Sequence, residues 1–328
     1  MTTEITRRTA IAGLSAFAAA PAFIAAPALA QGGGSTITMM HGFTPGANVD
    51  IVARLIADHL GKRLNRQIVV EPRPGAGGTT SAAAVARSAP DGTTLTILPG
   101  GHAVSAAIYK QLPYNAIDSF SFISMLTDFP FILVTYPDHP AKSVADVIKS
   151  AQADPGKLTC ATAGNGTGMH LAFELFAAMA KAKIQHIPYR GSPQAITDLL
   201  AKRVDFQVDT PAALMPFISD GRLRAIAVTG PKEFFMLPGV PTVAAGGVPG
   251  YSVTSWLGLA GPAGLPPAFV ASVNAEIKTI LADPVIIDRL RKLGSDIVPT
   301  TPQGFRDRVA DDVAKWTKVV ADANIPRV

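Results

Sequence analysis

Twice in this chain a strand-like run ends in a glycine-rich loop that opens a helix-like run, and that repeated unit decides most of what the chain can fold into. The first loop, GFTPGANVD (residues 42–50), follows Ile37–Met40 and opens IVARLIADHLGKRL; the second, ATAGNGTGMH (residues 161–170), opens LAFELFAAMA. A helix start presents backbone N–H groups with no partner inside the helix and carries a partial positive charge, so it seats anions. Glycine lets the main chain approach a guest closely and take dihedrals that other residues avoid. Two such seats, roughly 120 residues apart, point to two lobes facing one small anion.

Strand and helix patterns alternate around these loops, which predicts an α/β fold. Ile37–Met40 reads as a strand, and Val49–Leu64 as a helix with Ile51, Val52, Leu55, Ile56, Leu60 and Leu64 on one face. A strand at Ile68–Glu71, the turn-rich PRPGAGG, an alanine-rich helix at Thr79–Arg87 and a strand at Leu95–Leu98 follow. From about Phe131 a second unit begins. Its strands are Phe131–Thr135, Leu158–Thr162, Ile184–Pro188, Val204–Val208 and Leu223–Val228. One of its helices opens at Ser143-x-x-Asp146, a variant capping box; two more span 168–180 and 191–201. After the irregular LPGVPTVAAGGVPG, a strand at Val253–Leu259 returns the chain to the first unit. Helices at 267–281, 284–293 and 302–323 complete it, the last with Thr301 as N-cap and Pro302 at its first position. The expected lobes are therefore 31–131 with 254–328, and 132–253, with a mixed sheet at the centre of each. For a chain of 328 residues, division into two domains is the usual outcome.

Residues 1–30 run from Thr6-Arg7-Arg8-Thr9 through an alanine-rich apolar stretch to Ala28-Leu29-Ala30, the pattern of a secretory signal peptide cleaved near Ala30. Pro21, Pro27 and the weakly hydrophobic alanines argue against a membrane anchor, so a periplasmic protein is expected. The pair Arg7-Arg8 partly matches a twin-arginine export signal, which leaves that route and the general secretory one both open. The net charge is +5, and loss of the segment with Arg7, Arg8 and Glu4 lowers it by one. That mild excess suits an anion-favouring cleft, and no basic-aromatic stripe points to nucleic acid. No later stretch reaches the ~20 apolar residues that span a bilayer. The single cysteine, Cys160, rules out an intrachain disulfide and reads as a small core residue; Gln31 after Ala30 rules out a lipid-modified cysteine at that cleavage point.

No sequence motif for catalysis, metal or phosphate binding occurs: G-x-S-x-G, H-E-x-x-H and a P-loop are all absent, and the six histidines are dispersed. Gly164-x-Gly166-x-Gly168 imitates a dinucleotide loop, but no acidic residue ends the next strand. A periplasmic hydrolase is thus a remote alternative. Among candidate contacts, Asp50 is read as a complement to its helix dipole. Asp209, at the end of VDFQV, is either a ligand contact or a helix cap before Pro211. His170 faces either the cleft or a neighbouring strand. Arg190 suits a carboxylate bidentately, or else is a solvated surface residue. Phe43 and Trp256 wall a pocket or belong to the core, and His102 is a weak candidate for the mouth.

The series GFTPGANVDIVAR, VVEPRPGAGG, PDGTTL, HAVSAAIYKQLPYN, PGKLTCATAGNGTGMHLAFELF, HIPYRGSPQAITDLL, LPGVPT and WLGLAGPAG resembles the tripartite tricarboxylate transporter substrate-binding receptors, often called Bug proteins. The resemblance runs from about residue 37 to the carboxyl end. It implies a two-lobed periplasmic binding protein of the type II, Venus-flytrap kind, with carboxylate ligands held partly by backbone amides and ordered water. The family's first ligand loop falls on Phe43, Thr44, Pro45, Gly46, Ala47 and Asn48, where Ala47 replaces the usual second glycine. Its second falls on Thr162, Ala163, Gly164, Asn165, Gly166, Thr167 and His170. A monomer without cofactor or metal is expected, partnered by membrane transporter subunits or, on the alternative reading, by a sensor kinase.

Overall fold

The computed structural model describes residues 35–323 and 325–327; the expected signal peptide, residues 1–30, lies outside them. The first half of the chain runs β1 (Ile37–His41), α1 (Asn48–Leu64), β2 (Ile68–Pro72), α2 (Thr79–Ala86), β3 (Thr94–Pro99), α3 (Gly101–Ile108), β4 (Phe120–Pro130), β5 (Ile132–Thr135), α4 (Val144–Ala153) and β6 (Thr159–Thr162). It continues with α5 (Gly168–Met179), β7 (Gln185–Pro188), α6 (Ser192–Leu200), β8 (Phe206–Asp209), α7 (Pro211–Ser219) and β9 (Arg224–Val228). It ends with β10 (Thr254–Pro262), α8 (Pro267–Leu281), α9 (Pro284–Lys292), β11 (Asp296–Ile297) and α10 (Pro302–Asp322).

These elements form a two-lobed α/β fold with a mixed sheet in each lobe. One sheet has the order β11-β4-β10-β3-β1-β2 and the other β7-β6-β8-β5-β9. In the first, β1 is parallel to β2 and β3, while β10 runs antiparallel to β3 and β4. In the second, β6 is parallel to β7 and β8, while β5 runs antiparallel to β8 and β9. The connectivity places a switch point at one strand of each sheet. From β1 the chain moves to β2 on one side and reaches β3 on the other; β6 lies likewise between β7 and β8. Loops leaving such strands bound a crevice at the carboxyl ends of the sheet, the usual seat of ligands in open α/β sheets. The loops leaving β1 and β6 are the two glycine-rich loops.

Local signals explain how those loops are held. Helix α1 buries Val52, Ile56 and Leu60, carries Asp50 in its first turn and Lys62 and Arg63 in its last, and stops at Asn65 in a left-handed conformation (φ 50°). Ile51, expected on the apolar face, is instead 37% exposed, because the buried stripe is centred one step further round the helix. Ser143 and Thr301 cap α4 and α10 by accepting the N–H groups of Asp146 and Gly304. Cys160 is buried in β6. Four elements carry too little pattern to be anticipated: β4, α3, α7 with Pro216 inside it, and the two-residue β11.

The chain crosses between the sheets at Phe131 and again through residues 229–253. Thr229 ties the crossings together: its hydroxyl accepts the N–H of Phe131 at 2.8 Å and donates to the carbonyl of Val253 at 2.8 Å. The N–H of Val253 returns a bond to the carbonyl of Thr229 at 2.8 Å.

Candidate functional site

The glycine-rich loops meet across the cleft. Outside lies a cavity of about 700 Å³, lined by Phe43, Thr44 and Ala47, by Pro74–Gly77 and Tyr109, and across from them by Ala163, Gly164, Asn165 and Thr167 with Pro188–Ser192. Beneath it is an inner chamber of about 30 Å³ that shares Phe43, Ala47, Thr167 and Ser192 with the outer one. Five helices present their first residues or N-caps to this chamber: α1 with Ala47, Asn48 and Val49, α3 with Gly101, α5 with Thr167, Gly168 and Met169, α6 with Ser192 and α7 with Thr210. Both lobes contribute. Phe129, Phe131, Ser255 and Leu257 from the crossing strands form the remaining wall with Pro99.

None of the inner lining side chains is charged. The polarity there comes from main chain, hydroxyls and one amide. Ala47, the N-cap of α1, offers no side-chain oxygen, so the first N–H groups of α1 have no side-chain cap. Asn48 is 5% exposed, and neither its Oδ1 nor its Nδ2 has a hydrogen-bond partner. A buried carboxamide left so costs on the order of 1–3 kcal/mol unless a guest or water completes it. At α5, the Thr167 hydroxyl is committed: it accepts the N–H of His170 at 3.2 Å and donates to the carbonyl of Gly164 at 2.7 Å.

The two rims touch through main chain. A Cβ built on Gly101 would stand 3.1 Å from the nitrogen of Gly168, and one on Gly77 would stand 2.7 Å from the carbonyl oxygen of Asn165. Two long hydrogen bonds join these rims, from Ser105 Oγ to Gly166 O (3.4 Å) and from Tyr109 Oη to Asn165 O (3.5 Å).

A model of the group described as "Tripartite tricarboxylate transporter family receptor" matches residues 52–325. The chain belongs to this family. It is similar to the UPF0065 protein in the tcbD-tcbE intergenic region of Pseudomonas sp., 35% identical over 287 residues that cover 87% of this chain and 85% of that protein. Among solved structures it is similar to an R. palustris protein with adipate, at TM-score 0.85 and 32% identity, covering 90% of this chain and 99% of that one. It also resembles MatC from Rhodopseudomonas palustris with bound malate, at TM-score 0.82 and 30% identity over 87% of this chain and 99% of that one. The family consists of solute-binding receptors, and its solved members include periplasmic binding proteins.

In this receptor, nine of the residues singled out from the sequence line the two chambers: Phe43, Thr44, Ala47, Asn48, Ala163, Gly164, Asn165, Thr167 and Arg190. Arg190 is exposed, at the outer chamber only. Six others stand outside the lining. Pro45 and Gly46 are turned to solvent at the tip of their loop. Thr162 is fully buried, its hydroxyl bonded to His186 Nε2 at 2.7 Å. Gly166 lies under Tyr109, where a Cβ would come within 2.5 Å of the ring. His170 is turned into its own lobe, stacked on His186 with ring centroids 4.3 Å apart. Asp209 is fully buried behind Ser192 and Thr210, bonded to Gln207 Nε2 at 2.8 Å and to the N–H of Thr210 at 2.7 Å. Burial pushes its carboxyl above the usual range, against the pull of Ser192, Thr210 and Gln207.

Two aromatic candidates belong to the core. Trp256 is fully buried, donates from Nε1 to Asp312 at 2.7 Å and packs edge-on against Phe305. His102 lies inside α3 rather than at the mouth, stacked on Tyr114 and bonded to the carbonyl of Ala116 at 2.8 Å. Asp50 exceeds its expected dipole role: its carboxylate is buried and bonded to His41, Gly46 and Arg54.

His170, Glu174 and His186 are close enough together to suggest a metal. Their arrangement argues against one. The two imidazoles lie nearly parallel (18°), so their in-plane lone pairs run side by side instead of converging. His170 Nδ1 already accepts the N–H of Gly166, and His186 Nε2 is engaged with Thr162. A wider cavity, about 920 Å³, opens on the other face of the crossing strands, where Asp128, Pro130 and Thr254 point. Its Arg308 is already engaged by Asp128 and Asp312.

The lining residues missed from sequence, notably Gly101, Phe129, Phe131, Ser192, Thr210 and Ser255, come from segments far apart in the chain. Ser192 and Thr210 did carry a usable signal: each stands at a helix start directly followed by proline.

Proposed function

We propose that this receptor works in the periplasm, captures a small organic carboxylate by closing its lobes around it, and delivers it to the membrane subunits of a tripartite tricarboxylate-type transporter. The lobes are taken as residues 31–131 with 254–328, and 132–253, and export is taken to end with cleavage after Ala30. One observation carries the reading: helix N-termini from both lobes converge on a chamber without charged side chains. Oriented amides in a chamber shielded from solvent favour an anion over a neutral guest, since electrostatic attraction strengthens as the local dielectric falls. The solved relatives with adipate and malate make aliphatic dicarboxylates the first ligands to try. The unpartnered Asn48 and the exposed Arg190 are the side chains expected to read the ligand beyond its carboxylate.

A thermal-shift screen of the mature protein, followed by calorimetry, tests this. The panel contains adipate, malate, aromatic and aliphatic monocarboxylates, amino acids and neutral sugars. A binder at a hundredfold its Kd adds about 2.7 kcal/mol of stability. Stabilisation by neutral sugars alone would overturn the proposal. Amino-terminal sequencing of periplasmic protein should begin at Gln31.

A further inference from the structure

The loop leaving β1 is strapped at two points by buried side chains. The N–H of Phe43 donates to Nδ1 of His41 at 3.4 Å, and the N–H of Gly46 donates to Oδ2 of Asp50 at 2.9 Å. Because the Phe43 amide can only donate, His41 Nδ1 is the acceptor; Nε2 then carries the proton and gives it to Asp50 Oδ1 at 3.0 Å. Arg54, half exposed, closes the cluster from outside with Nε to Oδ2 at 3.0 Å and a terminal nitrogen 2.9 Å from Oδ1. An acid that merely complemented the helix dipole would gain from an exposed position in the first turn. This one is turned inward and takes every donor around it. Burial opposes its ionisation, but Arg54, the Gly46 amide and His41 outweigh that and hold the carboxyl below the usual range.

The loop leaving β6 repeats the device with different chemistry. Gly166, at φ 74°, donates its N–H to Nδ1 of His170 at 3.3 Å, as Gly46, at φ 81°, donates to Asp50. Each pair is separated by four residues. Each glycine stands immediately before the N-cap of a helix that faces the inner chamber: Ala47 for α1 and Thr167 for α5. His170 is itself backed by the stacked ring of His186.

We propose that Asp50 and His170 are paired positioning residues, each fixing the left-handed glycine four residues upstream and so setting the angle at which its helix's free amides face the ligand. The inference rests on the carboxylate-receptor reading. Neither side chain touches the guest; each acts through the loop.

The test uses the mature protein, adipate as probe in calorimetry, and amide hydrogen exchange of Gly46 and Gly166 without ligand. Asp50→Ala, which removes the acceptor, is expected to speed exchange at Gly46 at least tenfold and weaken adipate binding at least tenfold, with Gly166 unchanged. His170→Phe, which keeps a ring for stacking but loses the acceptor, should do the same at Gly166. His170→Asn, whose carboxamide oxygen can replace Nδ1, should restore both readouts to within about threefold of wild type. Should Asp50→Ala fail to fold, Arg54→Ala gives a severalfold version of its effect. Unchanged exchange at both glycines overturns the proposal, as does adipate binding within twofold of wild type in both Asp50→Ala and His170→Phe. Wild-type protein that binds neither adipate nor any other acid overturns the receptor reading instead, while the exchange rates still report whether the straps exist.

Discussion

Thr229 and Val253 hold each other across the gap between strands β9 and β10: the hydroxyl of one donates to the carbonyl of the other at 2.8 Å, and the amide of Val253 donates back at 2.8 Å. The same hydroxyl accepts the N–H of Phe131, so one oxygen bonds to both crossings between the lobes, beside their backbone bonds. Thr229→Val keeps the shape and strands the buried Phe131 amide, which should lower unfolding free energy by about 1–3 kcal/mol. The check is a urea titration. A midpoint equal to that of wild type would show the hydroxyl to be dispensable.

Asn48 offers the cleanest separation of binding from folding. Its carboxamide is buried and has no partner among the described residues, so its removal breaks no internal bond. Asn48→Ala should leave the melting temperature within a few degrees of wild type and weaken carboxylate binding roughly tenfold or more, the loss expected for one hydrogen bond to a charged group. Calorimetry with unchanged affinity would remove Asn48 from the contact set.

Thr167 has a different balance because both directions of its hydroxyl are in use within the loop. Thr167→Ala should cost about 1 kcal/mol of stability, the usual value of an N-cap, and weaken binding by disordering the loop. Thr167→Ser retains the oxygen and should recover both. If alanine changes neither melting temperature nor affinity, the cap does not hold the loop.

Acid should weaken the fold within a defined window. Burial lowers the pKa of His41, that of His102 to about 4 and that of His186 to about 3. The unfolded chain protonates these rings near pH 6.5, before the folded chain does. Their contribution is therefore full above pH 6.5 and lost as pH falls through the folded values, at about 1.4 kcal/mol per pH unit per ring. Asp128 and Asp209, pushed up chiefly by burial, act in the opposite direction and soften the loss at the acid end. In urea titrations between pH 7 and pH 4.5, His102→Gln should flatten the slope by one proton. A slope identical to that of wild type would mean that His102 titrates alike in both states.

Much of this architecture is legible in the sequence because its signals are local. The β1–α1 and β6–α5 units carry strand, glycine and helix patterns in order, and their boundaries fall within about two residues of expectation. Strand β4 escapes because it is buried on both faces and lacks alternation; Ser124 is interior only because Thr300 meets it from far along the chain. Helix α3 starts at a glycine pair without a side-chain cap, and α7 contains a proline. In the site, the loop positions are readable but the directions of side chains are not. Nothing local tells that His170 turns toward His186, that Asp209 sinks behind Ser192, or that Phe129 and Phe131 floor the chamber.

The rims at Gly101 and Gly168, and at Gly77 and Asn165, abut as bare backbone, with no interlocking teeth. Among the described residues only the two long bonds from Ser105 and Tyr109 latch these rims, so in the proposed receptor the cargo would be the clasp. In the proposed function, such a jaw would swing wide once its cargo left, without unpicking a knitted seam.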